Sequence, residues 1–193
     1  MEHTKAATAP PPAAVAARST DVDAFRGLMA GFPSGVAVVT TTGAGTGVPF
    51  GLTCTSLCAV SLAPPMLLVS LDNRSGTLRE LLAGGGFAVN LLHRWGRRAA
   101  EVFATGGGDR FAGVVWRPAG DSGLPCLTED AHSFAECRVR STTPAGDHTV
   151  VIAEVVSVRH LAQHPPLLYG LRGYAAWPSG GEAGSAAVTG VAG

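Results

Sequence analysis

The β-branched and apolar residues of this chain come in short runs, each fenced by glycine or proline. VAVVTTT at 36–42 is followed by the Gly-rich segment 43–49, MLLVSL at 66–71 lies between Pro64-Pro65 and Asp72-Asn73, and FAVNLL at 87–92 follows three glycines. Such runs are too short for core helices and suit strands bounded by turns. With 26 Gly and 13 Pro among 193 residues, regular structure is interrupted throughout, so long helices are excluded. Charged residues make up 15% and hydrophobic residues 46%, which excludes disorder over the whole chain. Lys plus Arg and Asp plus Glu both total 14, so the basic footprint that nucleic-acid binding needs is missing. A weakly charged, apolar surface favours self-association, and an oligomer is expected.

The organisation reads as one domain over residues 21–177 between two tails. Residues 1–20 carry Pro10-Pro11-Pro12 and an Ala-rich run, and residues 178–193 are nearly all Gly, Ala, Ser and Val. No apolar run approaches the ~18 residues that span a bilayer, and a cytoplasmic location is expected. Cys54, Cys58, Cys126 and Cys137 form no C-x-x-C pair and no zinc-type spacing with histidine, so reduced thiols and no metal are expected.

Along the domain, Thr20 or Asp21 caps an expected helix whose apolar residues Val22, Phe25, Leu28, Met29 and Phe32 recur every three or four positions. Strands are expected at 36–42, 50–60, 66–71, 87–92, 114–116, 133–140 and 149–158. Helices are expected at 77–83, where Thr77 and Glu80 have capping-box spacing, and at 95–104. Residues 144–147 (PAGD) read as a turn. Strands without regular helix alternation predict a mainly β, antiparallel, Greek-key-like barrel with a few short helices.

Gly43-Ala-Gly45-Thr-Gly47 lacks dinucleotide-fingerprint spacing and precedes a second strand, so it reads as a hairpin turn. There is no G-x-S-x-G elbow, which argues against a hydrolase. Thr53-Cys54-Thr55-Ser56 is either a solvated β face or a set of hydroxyls and N–H groups offered to a phosphate or ribityl chain. Arg74, Ser75 and Thr77, just ahead of a helix, either cap it or form an anion seat. His148 opens an apolar strand after a turn and has no obvious carboxylate partner. It either positions an aromatic ligand, acts as a general acid, or is structural. Asp109-Arg110-Phe111 after three glycines is a loop with an internal ion pair or a lid.

Phe25-Arg-Gly-Leu-Met-Ala-Gly-Phe-Pro-Ser-Gly-Val36, Gly51-Leu-Thr-Cys-Thr-Ser56, Val60-Ser-Leu-Ala-Pro-Pro65, Asn90-Leu-Leu92, Asp109-Arg-Phe111 and Gly146-Asp-His148, taken in order, resemble the flavin reductase domain family. Members are small reductase components of two-component flavin monooxygenases. The resemblance runs from about Phe25 to Tyr174. It implies an FMN-binding split β-barrel, a homodimer, and NADH- or NADPH-dependent reduction of FMN or FAD by hydride transfer to flavin N5. The implied acceptor of the reduced flavin is a partner oxygenase or halogenase.

By the same resemblance, Ser34, Gly35, Val36, Thr53, Cys54, Thr55 and Ser56 line the flavin ring and its ribityl phosphate, and Ser75 and Thr77 contact the phosphate. Asn90 and Leu91 meet the ring, Arg74 and Phe111 join the cofactor-binding set, and His148 places the nicotinamide. A non-catalytic flavin carrier and a flavin-using oxidase on the same barrel are the competing readings.

Overall fold

The computed structural model describes residues 20–120 and 122–178. Segments 1–19 and 179–193, expected as tails, lie outside the described residues. In chain order the elements are α1 (Val22–Ala30), β1 (Ser34–Gly35), β2 (Ala37–Thr42), β3 (Pro49–Cys54), β4 (Cys58–Leu62) and β5 (Pro65–Asp72). They continue with α2 (Gly76–Gly84), β6 (Gly86–Leu92), α3 (Arg97–Ala104), a 3-10 turn (Arg110–Gly113), β7 (Arg117–Ala119) and β8 (Leu124–Cys126). The chain closes with β9 (Ala131–Ala145), β10 (His148–His160), β11 (Leu167–Gly170) and β12 (Gly173–Ala176).

Seven strands form the main sheet in the order β3-β2-β6-β9-β10-β5-β4, every pair antiparallel. β3 and β4 lie at opposite edges of this order, yet only residues 55–57 separate them. Flat, seven strands about 4.8 Å apart would put those edges nearly 30 Å from each other. Four residue steps from Cys54 to Cys58 reach at most about 14 Å. The sheet must therefore curl until its edges approach, and the result is a barrel left split along one seam. At that seam the Ser56 hydroxyl donates to the Ser70 carbonyl of β5 at 2.7 Å and accepts from the Ser70 N–H at 3.2 Å.

β2 is buried along almost its whole length because both its faces are covered. Ala37 and Val39 pack inside the barrel with Val69, Leu71, Phe87 and Val151, beneath Leu78 and Leu81 of α2. Val36 and Val38 pack outward against Ala99, Ala100 and Phe103 of α3, with Phe111. That explains why the 36–42 run is uninterrupted rather than alternating.

Several expectations change. The 50–60 strand is two strands, because the chain changes sheet edge at 55–57. The 114–116 strand is absent. Trp116 stacks edge-on against Phe111 there, and the β7–β8 hairpin follows instead. β11 and β12 were not anticipated, being four residues each around a tight turn. α2 begins at Gly76, with Ser75 rather than Thr77 as its cap: the Ser75 hydroxyl accepts from Leu78 N at 3.4 Å, and Glu80 pairs with Arg79. Asp21 precedes α1 without a side-chain capping bond. The apolar stripe of α1 is exposed, with Leu28 at 71% and Phe32 at 68%. β9 extends to Ala145, so the turn contracts to Gly146-Asp147, with Gly146 at φ 65°. This is the two-residue hairpin that favours glycine.

Gly51 is required by packing. A Cβ there would stand 2.8 Å from Phe103 Cε1 and 3.3 Å from Phe111 Cζ, both rings being buried. Gly51→Ala is expected to lower stability by about 1–3 kcal/mol, the usual range for overpacking. Denaturant melts check this, and an unchanged midpoint contradicts it.

Candidate active site

At the barrel's split, a cavity of about 1520 Å³ opens to solvent. Its walls come from β3, the 55–56 crossing, the segment from Asp72 to Thr77, the Gly106–Phe111 loop, and His148 at the start of β10. Phe25 and Met29 of α1 stand at its rim. Of the residues singled out from sequence, Thr53, Cys54, Thr55, Ser56, Arg74, Ser75, Thr77, Phe111 and His148 all line it. Ser34, Gly35, Val36 and Leu91 line a second cavity of about 260 Å³, whose wall also includes Thr55. The crossing segment thus separates two recesses.

The hydroxyls are not equivalent. Thr53 Oγ1 donates to the Ala100 carbonyl at 2.6 Å and ties β3 to α3. Ser56 is spent on the seam and sits 3.2 Å from Cys54 Sγ. Ser75 uses one lone pair on Leu78 N, which leaves its own proton free to donate. Thr77, 3% exposed, bonds through its hydroxyl to no other described residue. The first N–H groups of α2 beside it have no intrahelical acceptor. Ser75, Thr77 and these N–H groups make the unspent donor set of the cavity.

Arg74 departs from its expected role as a free cation. Its Nε and Nη2 grip Asp72 Oδ1 and Oδ2 at 3.0 and 2.7 Å, so its charge is neutralised. The same grip holds the Asp72 carboxyl far below the usual carboxylate range. His148 does have a carboxylate partner. Its Nδ1 lies 2.7 Å from Asp147 Oδ1, and Asp72 is its cross-strand neighbour on β5. The hydrogen bond to His148 pulls the Asp147 carboxyl down. With Nδ1 engaged by a carboxylate, a neutral His148 carries its proton on Nδ1 and keeps Nε2 as an acceptor. Asp147 is the adjacent residue in Gly-Asp-His, a signal that the expectation of no partner overlooked. Asp72 emerged only from the strand register.

Asn90, implied by the resemblance to meet the flavin ring, lines neither cavity. It is wholly buried: its amide nitrogen faces the Val38 carbonyl at 3.2 Å, Thr40 Oγ1 at 3.1 Å and the Pro125 carbonyl at 3.4 Å, and its oxygen accepts from Leu127 N at 2.8 Å. A polar side chain with every bond made internally is a structural cross-link. Phe111 reaches the cavity as the edge of a packed stack, 5.0 Å from Phe103 and 5.3 Å from Trp116. Asp109 forms no ion pair with Arg110 and instead caps the 3-10 turn.

All four cysteines are free thiols, and only Cys58 is exposed. Burial raises Cys54 and Cys126, and pushes Cys137 up to about 12. A disulfide reagent on the native chain is expected to titrate one thiol rapidly; rapid reaction of all four contradicts this. Among the described residues, no group of His, Cys, Asp and Glu is arranged to hold a metal, and no helix is long and apolar enough to cross a membrane.

The model of the flavin reductase like domain matches residues 29–178. The chain belongs to the flavin reductase like domain family. It is 53% identical over 153 residues to a flavin reductase (NADPH) of Lentzea aerocolonigenes, covering 79% of this chain and 88% of that protein. Its fold matches the NADH:FAD oxidoreductase of Streptomyces globisporus C-1027, solved with NAD and FAD fragments. The TM-score is 0.77 at 29% identity, covering 84% of this chain and 96% of that one. It also matches BorF, the flavin reductase component of a bacterial two-component tryptophan halogenase, with a TM-score of 0.75 at 26% identity, covering 82% and 99% of the two chains.

Proposed function

We propose that this chain reduces FMN or FAD with NADH or NADPH and passes the reduced flavin to a partner oxygenase or halogenase. The observation that carries this reading is the joining, in one open cavity, of an unspent donor set at Ser75, Thr77 and the start of α2 with the oriented imidazole of His148. The donor set suits a flavin phosphate, since anions favour helix N-termini and hydroxyl donors. When bound, the two cofactors supply the chemistry themselves, a hydride passing from nicotinamide C4 to flavin N5.

The chain's residues have correspondingly modest duties. Ser75 and Thr77 bind, the 55–56 crossing gives the wall its shape, and His148, steadied by Asp147, holds the nicotinamide at the short separation that hydride transfer needs. A phosphate seat built from neutral donors, with Arg74 already paired, permits release of the product flavin. Covalent attachment has no role here.

Anaerobic mixing with flavin and either reduced nicotinamide tests the reading. Catalysed loss of the oxidised flavin's visible absorbance is expected; a rate no faster than without protein refutes it, and a carrier would give that result.

The seat itself is tested by pairing two variants. Ser75→Ala is expected to weaken FMN about tenfold while leaving riboflavin nearly unchanged, and to cost about 1 kcal/mol of stability through the lost cap. Ser56→Ala is expected to loosen the seam and to affect FMN and riboflavin equally. Equal weakening of both flavins by Ser75→Ala contradicts the seat.

A homodimer fits the same surface. The exposed stripe of α1, with Leu62 at 91% and Leu171 at 84% exposure, is apolar area that a second copy would cover. Sedimentation is expected to give about twice 19.5 kDa; a monomer at micromolar concentration contradicts it.

A further inference from the structure

The cavity's charged groups are paired with one exception. Arg74 is held by Asp72, and His148 by Asp147. Asp109 spends its carboxylate on the backbone N–H groups of Phe111 and Ala112, at 3.0 and 3.3 Å. Arg110, its neighbour, therefore lines the cavity with no carboxylate partner among the described residues. Its Nη1 donates to the Gly51 carbonyl at 2.6 Å, and the remaining guanidinium donors are unspent.

The guanidinium is also fixed in place. It leaves a 3-10 turn capped by Asp109 and anchored by the buried Phe111, and it rests on β3 through Gly51. A half-buried, pre-oriented cation without a counter-ion gains most when an anion arrives, because little side-chain entropy remains to be lost. The α2 donor set already provides for one phosphate. Phe50 links the two places: its ring stands 3.8 Å from a Cβ position on Gly76, and the next residue, Gly51, carries the carbonyl that holds Arg110. The cavity volume of about 1520 Å³ exceeds the roughly 300–1,000 Å³ of a site for one drug-sized ligand.

We propose that Arg110 is a second anion anchor, a positioning residue that grips the pyrophosphate bridge of an adenine dinucleotide while the α2 end holds the flavin's first phosphate. The inference rests on the proposed flavin reduction. Two ligands of that reaction contain the bridge, FAD and the reduced nicotinamide dinucleotide, and the experiment separates them.

Riboflavin, FMN and FAD are titrated against wild type, Arg110→Gln and Arg110→Lys, and the KM for NADH and NADPH is measured with riboflavin as acceptor. Arg110→Gln keeps a donor for Gly51 but loses the charge. It is expected to weaken binding about 10- to 100-fold, the range for a charge-assisted pair. If the bridge is that of FAD, only FAD binding weakens, with FMN and riboflavin unchanged. If it is that of the nicotinamide dinucleotide, KM rises while all three flavins bind as before. Arg110→Lys recovers part of the loss, and the wild-type advantage shrinks as salt is raised. Changes under twofold in both FAD affinity and KM overturn the inference. So does riboflavin weakened as much as FAD, since that reports a distorted cavity. A wild-type chain that binds riboflavin and turns over secures the underlying reading independently. A wild-type chain that binds no flavin overturns both.

Discussion

Asn90→Ala is expected to lower the stability of the fold by about 3–5 kcal/mol, as much as truncating a large core side chain. The side chain is 0% exposed and joins three strands and a loop. It meets the Val38 carbonyl and Thr40 on β2, the Pro125 carbonyl on β8, and Leu127 N beyond it. Truncation leaves the buried Leu127 N–H without its acceptor and opens a void beside it. Each buried group left unpaired costs about 1–3 kcal/mol, and the void adds to that.

Asn90→Asp separates chemistry from shape. Its protonated form offers one donor, but its ionised form faces the Val38 and Pro125 carbonyls. The folded-state pKa is then raised above the unfolded value of about 3.9. Stability is best below that value and falls as pH rises through the folded pKa. Denaturant melts across pH check both variants. A loss under 1 kcal/mol for Asn90→Ala contradicts the cross-link, and flavin affinity that drops while stability holds would restore a ligand role to this residue.

His148→Ala is expected to raise the KM for the reduced nicotinamide about tenfold or more, with flavin affinity changed less than twofold. The imidazole is held by Asp147 at 2.7 Å and lies opposite Asp72 on β5, so its ring is set by the hairpin rather than by ligand. Asp147→Asn keeps the turn, weakens the hold on Nδ1, and is expected to move KM in the same direction by a smaller factor. Because the hydride is carried by the cofactors, kcat should fall less than KM rises. Steady-state kinetics at fixed flavin checks this. An unchanged KM, or equal losses in flavin and nicotinamide binding, contradicts the assignment of His148 to nicotinamide placement.

The difference between these two residues also marks how far sequence alone reaches. The pairing of Asp147 with His148 was not expected and the nicotinamide role came only with the resemblance, but the turn before His148 was legible because glycine, a short acid and a strand start have a local geometry that letters can specify. Asn90 was not, because a polar residue in FAVNLL reads the same whether it meets a ligand or is wholly bonded within the core. Which it does depends on β8, about 35 residues further along the chain and too short to announce itself. Thr77 and Ser75 show the same limit on a smaller scale. Either hydroxyl suits a cap, and the one-residue choice decides which gives up a lone pair to the helix and which stays wholly unspent in the cavity.

The apolar period of α1 correctly gave a helix with one apolar face, but periodicity does not say what covers that face. The strands of the main sheet were largely found because their runs are β-branched and fenced by turns. The split of 50–60 is not written in that segment, because the curling that forces it is a property of the whole sheet. The sequence marks Arg110 only as part of a motif. Its lack of a carboxylate partner became apparent only once Asp109 proved to be spent on the backbone.

A crystal structure with flavin and oxidised nicotinamide dinucleotide bound together tests the central claim most directly. The flavin phosphate should accept hydrogen bonds from Ser75 Oγ and Thr77 Oγ1 at the start of α2, with the nicotinamide ring against His148 in the same cavity. A flavin whose phosphate lies elsewhere, or a nicotinamide remote from His148, would contradict the account.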